Sequence, residues 1–193
     1  MKVILVRHGE TYANCEKKFA GWTDTRLTQR GIEQGKAASQ RIDMDQVDLV
    51  ISSDLSRAVE TAEYVMGDSN LVITRLADLR EMHFGDWENL NIDDMKAKNK
   101  EGVALWWKDY IYYQTPNGES LKEMYDRVIK TYENLLNIHR GKNILLVTHS
   151  GVMRAILSKE LCGSVEGYWK FKIENCAVIE IEYVDGFPVV QFN

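Results

Sequence analysis

Val3-Ile4-Leu5-Val6-Arg7-His8-Gly9-Glu10-Thr11 is the stretch that decides the fold. Four β-favouring apolar residues stop abruptly at two cations and a glycine. So short and wholly apolar a run suits a strand covered on both faces, the signature of a parallel sheet. Two more segments repeat the pattern. Leu49–Ile51 runs into Ser52-Ser53-Asp54-Leu55-Ser56-Arg57, and Ile144–Val147 runs into Thr148-His149-Ser150-Gly151. Helix-like patterns lie between the strands, at about Thr28–Ile42, Asp54–Met66, Ser120–Ile138 and Gly151–Leu161. The third opens on Ser120-Leu-Lys-Glu123, a capping-box pattern, with Gly141 just past its end. Leu71–Thr74 adds a further strand. Ala177–Tyr183 and Phe187–Phe192, around Asp185-Gly186, read as a hairpin whose Pro188 favours an edge. Alternation of strands and helices gives an α/β fold with a mainly parallel sheet flanked by helices.

The segment at about 88–117 departs from that pattern. It lacks strand signals and holds Trp106, Trp107, Tyr110, Tyr112 and Tyr113, which reads as a helical insertion over the C-terminal edge of the strands. With no linker or internal repeat, residues 1–193 are expected to form one domain carrying that insertion.

Composition bounds the function. The 193 residues are 45% hydrophobic and 27% charged, with 24 Lys+Arg against 29 Asp+Glu. A net charge of -5 without a basic tail argues against binding nucleic acid through its backbone. Any phosphate must be drawn by a local cluster of cations. Three cysteines, Cys15, Cys162 and Cys176, are too few for a disulfide framework and include no CxxC pair. The first apolar run ends at Arg7, too early for a signal-peptide core, and no apolar stretch approaches the roughly 20 residues of a bilayer span. A soluble, cytoplasmic protein is expected.

In open α/β sheets ligands bind beyond the carboxyl ends of the strands. Three segments remote in sequence therefore bring Arg7, His8, Arg57 and His149 to one rim. Gly151 opens a helix there, whose free N–H groups favour an anion. The ligand that fits is a phosphoryl group. A lone histidine is ordinarily a surface or hydrogen-bonded residue, and His83 and His139 are read that way. The four histidines show no HxxxH or HExxH spacing and have no Cys partners nearby, so a metal site is not expected.

These residues resemble the histidine phosphatase superfamily, the phosphoglycerate mutase-like proteins. The likeness runs in order from Arg7-His8-Gly9-Glu10-Thr11 and Asn14 through Gly21-Trp22-Thr23-Asp24 and Leu27-Thr28-x-x-Gly31. It continues through Ser52-Ser53-Asp54-Leu55-x-Arg57-x-x-x-Thr61, Leu79-Arg80-Glu81 and Phe84-Gly85-Asp86-Trp87-Glu88 to Asn117-Gly118-Glu119-Ser120 and Thr148-His149-Ser150-Gly151. It implies a phosphoglycerate mutase-like fold and a phosphatase that needs no metal or organic cofactor. His8 would be the nucleophile and become a phosphohistidine. Arg7, Arg57 and a protonated His149 would bind the phosphoryl oxygens, with Asn14 as an uncharged donor. Gly21, Ser150 and Gly151 join the expected substrate-binding set, and Glu81 would be the general acid, with Glu10 and Glu88 as rival carboxylates.

Within the superfamily, mutases carry Arg and Tyr where this chain has Met82 and Phe84, and a hydroxyl residue where it has Ala20. That favours hydrolysis. Met82 to Glu88, Asn117-Gly118-Glu119 and Trp169-x-Phe171-x-Ile173-Glu174 are similar to the α-ribazole phosphatases, which act on a benzimidazole nucleotide in cobalamin nucleotide-loop assembly. Trp106 and Trp107 are then candidates for stacking a flat base. Alternatives are a broad-specificity phosphatase of sugar or glycolytic phosphates, a phosphoglycerate mutase, or a non-catalytic binder. The expected partner is a small phosphate monoester, with neither nucleic acid nor membrane; a homodimer is left open.

Overall fold

The structure is a computed structural model that describes residues 1–192; Asn193 lies outside the described residues. In chain order the elements are β1 (Lys2–Arg7), α1 (Tyr12–Cys15), α2 (Gln29–Ser39), β2 (Leu49–Ser53), α3 (Ser56–Met66) and β3 (Ile73–Leu76). They continue with α4 (Ile92–Lys108), α5 (Leu121–Ile138), β4 (Ile144–Thr148), α6 (Ser150–Cys162), β5 (Val178–Val184) and β6 (Phe187–Phe192). The six strands form one mixed sheet, ordered β3-β2-β4-β1-β5-β6. The first four are parallel, and the β5–β6 hairpin joins antiparallel to β1.

The apolar runs are strands because both faces are covered. Val3 and Leu5 pack into a core with Ile144, Leu146 and the inner faces of α5 and α6. Ile4 and Val6 point the other way, into a core with Leu145, Val147, Ala62 and Val65. Period-two alternation divides β1 and β4 between the two cores, so Val3–Val6 and Ile144–Val147 are apolar without a break.

Several boundaries differ from expectation for local reasons. Strands β2 and β4 extend through Ser53 and Thr148, whose backbones remain in register with Leu76 and Arg7 although their side chains are polar. Helix α3 begins at Ser56 because Asp54 is engaged elsewhere, accepting a 2.7 Å hydrogen bond from Arg80 Nε. Strand β3 lies two residues later than the apolar run suggests, as Leu71 and Val72 precede its ladder.

The 88–117 segment is only partly helical. Helix α4 has non-helical dihedrals at Asn99, and residues 109–117 form turns. It rests on a small third core of Trp87, Met95 and Val103, packed against Phe19, Phe84 and Trp106. Phe19 and Phe84 also line the pocket at the strand ends, so this segment roofs that rim. Among the described residues no helix is long and apolar enough to cross a membrane, and all three cysteines are unbridged.

Candidate active site

The register Arg7↔Thr148 between β1 and β4 sets the two motif-bearing ends side by side. His8 N–H then donates to Thr148 O at 2.8 Å. Thr61 ties in the third motif, since its Oγ1 accepts from Gly9 N–H at 3.0 Å and donates to Arg57 O at 2.6 Å. The Arg57-x-x-x-Thr61 spacing thus places both residues on one face of α3, toward the turn after β1.

The two imidazoles meet edge to face, with ring centroids 5.2 Å apart. His8 is 5% exposed and His149 fully buried. His8 Nδ1 lies 2.7 Å from Gly9 O, a carbonyl that can only accept. Nδ1 therefore carries the proton, and Nε2 keeps its lone pair. Burial, together with the Arg57 and Arg7 guanidiniums, holds His8 well below the usual imidazole range. His149 shares a 2.8 Å hydrogen bond from Nε2 with Ser53 Oγ, while its buried Nδ1 has no protein partner. Burial first, then Arg57, His8 and Arg7, pushes its pKa far down as well. These surroundings favour the neutral ring, not the imidazolium expected at His149.

Arg7 and Arg57 are held by backbone carbonyls, leaving their charges uncompensated by any ion pair among the described residues. Arg7 Nη1 donates to Ile173 O at 2.7 Å. Arg57 donates to Thr23 O, Ala20 O and Gly21 O. Asn14 Oδ1 accepts from Thr11 N–H and Asn175 Nδ2, so its amide nitrogen is the group left for a ligand. Asn175 also donates to His8 O, a contact with no signature in the sequence.

A pocket of about 270 Å³, open at its mouth, is lined by Arg7, His8, Asn14, Glu81, Ser150 and Gly151 among others. Of the three carboxylates considered, only Glu81 lines it. Its Oε1 accepts from Met82 N–H at 2.9 Å and its Oε2 from Gly151 N–H at 2.8 Å. Gly151 must lack a side chain, because a Cβ there would collide with the Glu81 carboxylate. Its N–H serves Glu81, so the anion-attracting role expected of Gly151 is corrected to one of holding the carboxylate. Gly21 is also reassigned. Its N–H donates to Glu88 and its carbonyl accepts from Arg57, leaving no backbone group for substrate.

The sequence profile of the histidine phosphatase superfamily (branch 1) matches residues 3–193. This chain belongs to the histidine phosphatase superfamily. This histidine phosphatase is 33% identical over 174 residues to the adenosylcobalamin/alpha-ribazole phosphatase of Escherichia coli (strain K12), covering 90% of this chain and 86% of that relative. It is 30% identical over 196 residues to a phosphoglycerate mutase of Schizosaccharomyces pombe, covering 97% and 88%. The crystal structure of the alpha-ribazole phosphatase from Shigella flexneri superposes with a TM-score of 0.94 at 32% identity, covering 100% of this chain and 95% of that one.

The aromatic candidates divide. Trp106 lines a narrow apolar cleft of about 50 Å³ with Phe19, Phe84, Tyr168 and Trp169. Phe19, Phe84, Tyr168 and Trp169 also line the histidine phosphatase pocket, so the two cavities adjoin across these side chains. Trp107 is 58% exposed and lies beneath Lys96, away from both. Trp107, expected to stack a flat base, is thus not brought to either cavity. Trp169 lines both, with the Arg154 guanidinium 4.9 Å from its ring.

Proposed function

We propose that this protein is a phosphomonoesterase that works through a phosphohistidine at His8 without a metal ion. The observation that carries the reading is the Nδ1 contact with Gly9 O, which leaves Nε2 of a buried, neutral imidazole as nucleophile beside two guanidiniums. Arg7 and Arg57 then bind equatorial phosphoryl oxygens, and charge-assisted hydrogen bonds of this kind contribute about 1.5–3 kcal/mol each. His149, taking up a proton as the dianion binds, adds a further donor through Nδ1, with the Asn14 amide beside it. Ser150, at the first turn of α6, lies along the same wall. These groups also stabilise the charge that develops during transfer. Glu81 protonates the leaving alkoxide, and the resulting carboxylate activates the water that hydrolyses the phosphohistidine.

The substrate proposed is α-ribazole 5′-phosphate, a flat base carried on a sugar phosphate. The relatives named for that activity support it, and so does the apolar surface beside the phosphate pocket, where Trp169 and Trp106 offer aromatic rings. Met82 and Phe84 give that region no polar group for a substrate carboxylate, which supports hydrolysis over mutase chemistry.

The test compares α-ribazole 5′-phosphate, simple sugar phosphates and 3-phosphoglycerate, each in the presence of chelator. Expected is release of phosphate with the highest kcat/KM for the nucleotide, and acid-labile label trapped on His8. Equal kcat/KM across the panel leaves a broad-specificity phosphatase. Formation of 2-phosphoglycerate without free phosphate identifies a mutase, and label that never reaches His8 overturns the mechanism.

A further inference from the structure

Glu88 lies outside the pocket lining, yet all its acceptor capacity is consumed. Its Oε1 accepts from Trp22 N–H at 2.8 Å and Phe84 N–H at 3.0 Å, and its Oε2 from Gly21 N–H and Thr23 N–H, each at 3.0 Å. A carboxylate offers about four lone-pair positions, so four backbone donors saturate it. Gly21 is required for this clasp, because a Cβ there would collide with Met82 O and crowd Glu88 Oε1.

The same short loop faces Arg57 with its carbonyls. Ala20 O and Gly21 O accept from Arg57 Nη2 at 3.1 and 2.7 Å, and Thr23 O accepts from Nη1 at 3.0 Å. With its N–H groups on an anion and its C=O groups on a cation, the loop acts as a dipolar bridge between Glu88 and Arg57. Arg57 is 1% exposed and forms no ion pair among the described residues, so these carbonyls fix where its fork points. The fourth donor, Phe84 N–H, belongs to the strand of chain that leaves Glu81.

We infer that Glu88 is a positioning residue that orients the Arg57 guanidinium toward the phosphoryl group by gripping the 20–23 loop. The inference rests on Arg57 as a phosphoryl ligand. In Glu88→Gln the amide keeps one acceptor oxygen and turns an NH2 group toward donors, releasing part of the loop. In Glu88→Asp the charge is kept but withdrawn by one methylene.

The experiment is a double-mutant cycle on the full chain, with inorganic phosphate as competitive inhibitor. Glu88→Gln is expected to raise the phosphate Ki and the KM together by roughly 10- to 100-fold, the range for one impaired charge-assisted hydrogen bond. Glu88→Asp shifts both in the same direction by less and serves alone should the glutamine variant not fold. In an Arg57→Ala background either substitution is expected to change Ki by less than about twofold. Undiminished Ki effects in that background, or a lowered Tm with Ki and KM unchanged, overturn the inference. An Arg57→Ala variant that itself binds phosphate normally shows instead that the reading of Arg57 is at fault.

Discussion

Glu81 Oε2 accepts a 2.8 Å hydrogen bond from the Gly151 N–H, tying the loop after Leu79 to the first turn of α6. The other oxygen is held by Met82 N–H, so the carboxylate has a fixed plane at the edge of the pocket. A proton donor needs such placement more than it needs added binding. Glu81→Gln keeps one amide oxygen as acceptor and cannot release a proton. Its kcat on an alkyl phosphate should fall by about 10²- to 10⁴-fold, and far less on p-nitrophenyl phosphate, whose leaving group needs no protonation. The phosphate Ki should stay within a few-fold of the parent, and equal losses on both esters would remove the acid assignment.

Phosphate binding should draw in a proton. Burial, with Arg57, His8, Arg7 and Arg127 nearby, favours the neutral form of His149, and a dianion beside Nδ1 would reverse that balance. Calorimetric titration with phosphate at pH 7.5, in buffers of different ionisation enthalpy, should report net proton uptake. His149→Gln should lower the net uptake, leaving the proton exchange of phosphate itself. Identical heats in all buffers for the parent protein would contradict the assigned role.

Stability should fall as pH falls through mild acidity. Both His8 and His149 have folded-state pKa values held below the ordinary value of about 6.5. Between the folded and unfolded values the unfolded chain binds more protons, so stability is full above about pH 6.5 and declines below it. Each ring contributes up to about 1.4 kcal/mol per pH unit in that window. Urea unfolding at pH 7.5, 6.5 and 5.5 measures the slope, and His8→Gln should reduce it. A variant slope equal to that of the parent would show that His8 is not held neutral.

Leaving-group selectivity should reside at Trp169 and not at Trp107. Trp169→Ala removes surface common to the pocket and the cleft. It should lower kcat/KM for an aromatic nucleotide roughly tenfold, within the 1–3 kcal/mol ascribed to a base–aromatic stack, with little effect on a sugar phosphate. Trp107→Ala should change neither. Arg154→Lys, which keeps charge but loses the planar contact with Trp169, should reproduce part of the Trp169 effect.

The parallel strands were legible because Val3–Val6 and Ile144–Val147 are sandwiched between two cores, which forces unbroken apolar runs. The rim carrying Arg7, His8, Arg57 and His149 followed from topology alone. What escaped the sequence depends on backbone placement. The Glu88 clasp and the Asn175 contacts join side chains to main-chain groups far away in the chain, and no residue pattern encodes them. Trp107 does not join Trp106 at the cleft for a simpler reason: neighbours on a helix diverge by about 100°. Trp169 comes from the 3-10 segment after α6, remote in sequence from the aromatic run.

The register of β1 with β4 pairs Val3–Arg7 with Ile144–Thr148. His8 can therefore meet His149 only once the chain through β4 has been added to the sheet. Affinity for an oxyanion is therefore a property of the completed sheet, and a truncated product ending before Ile144 should be inert toward phosphate analogues however much helix it contains.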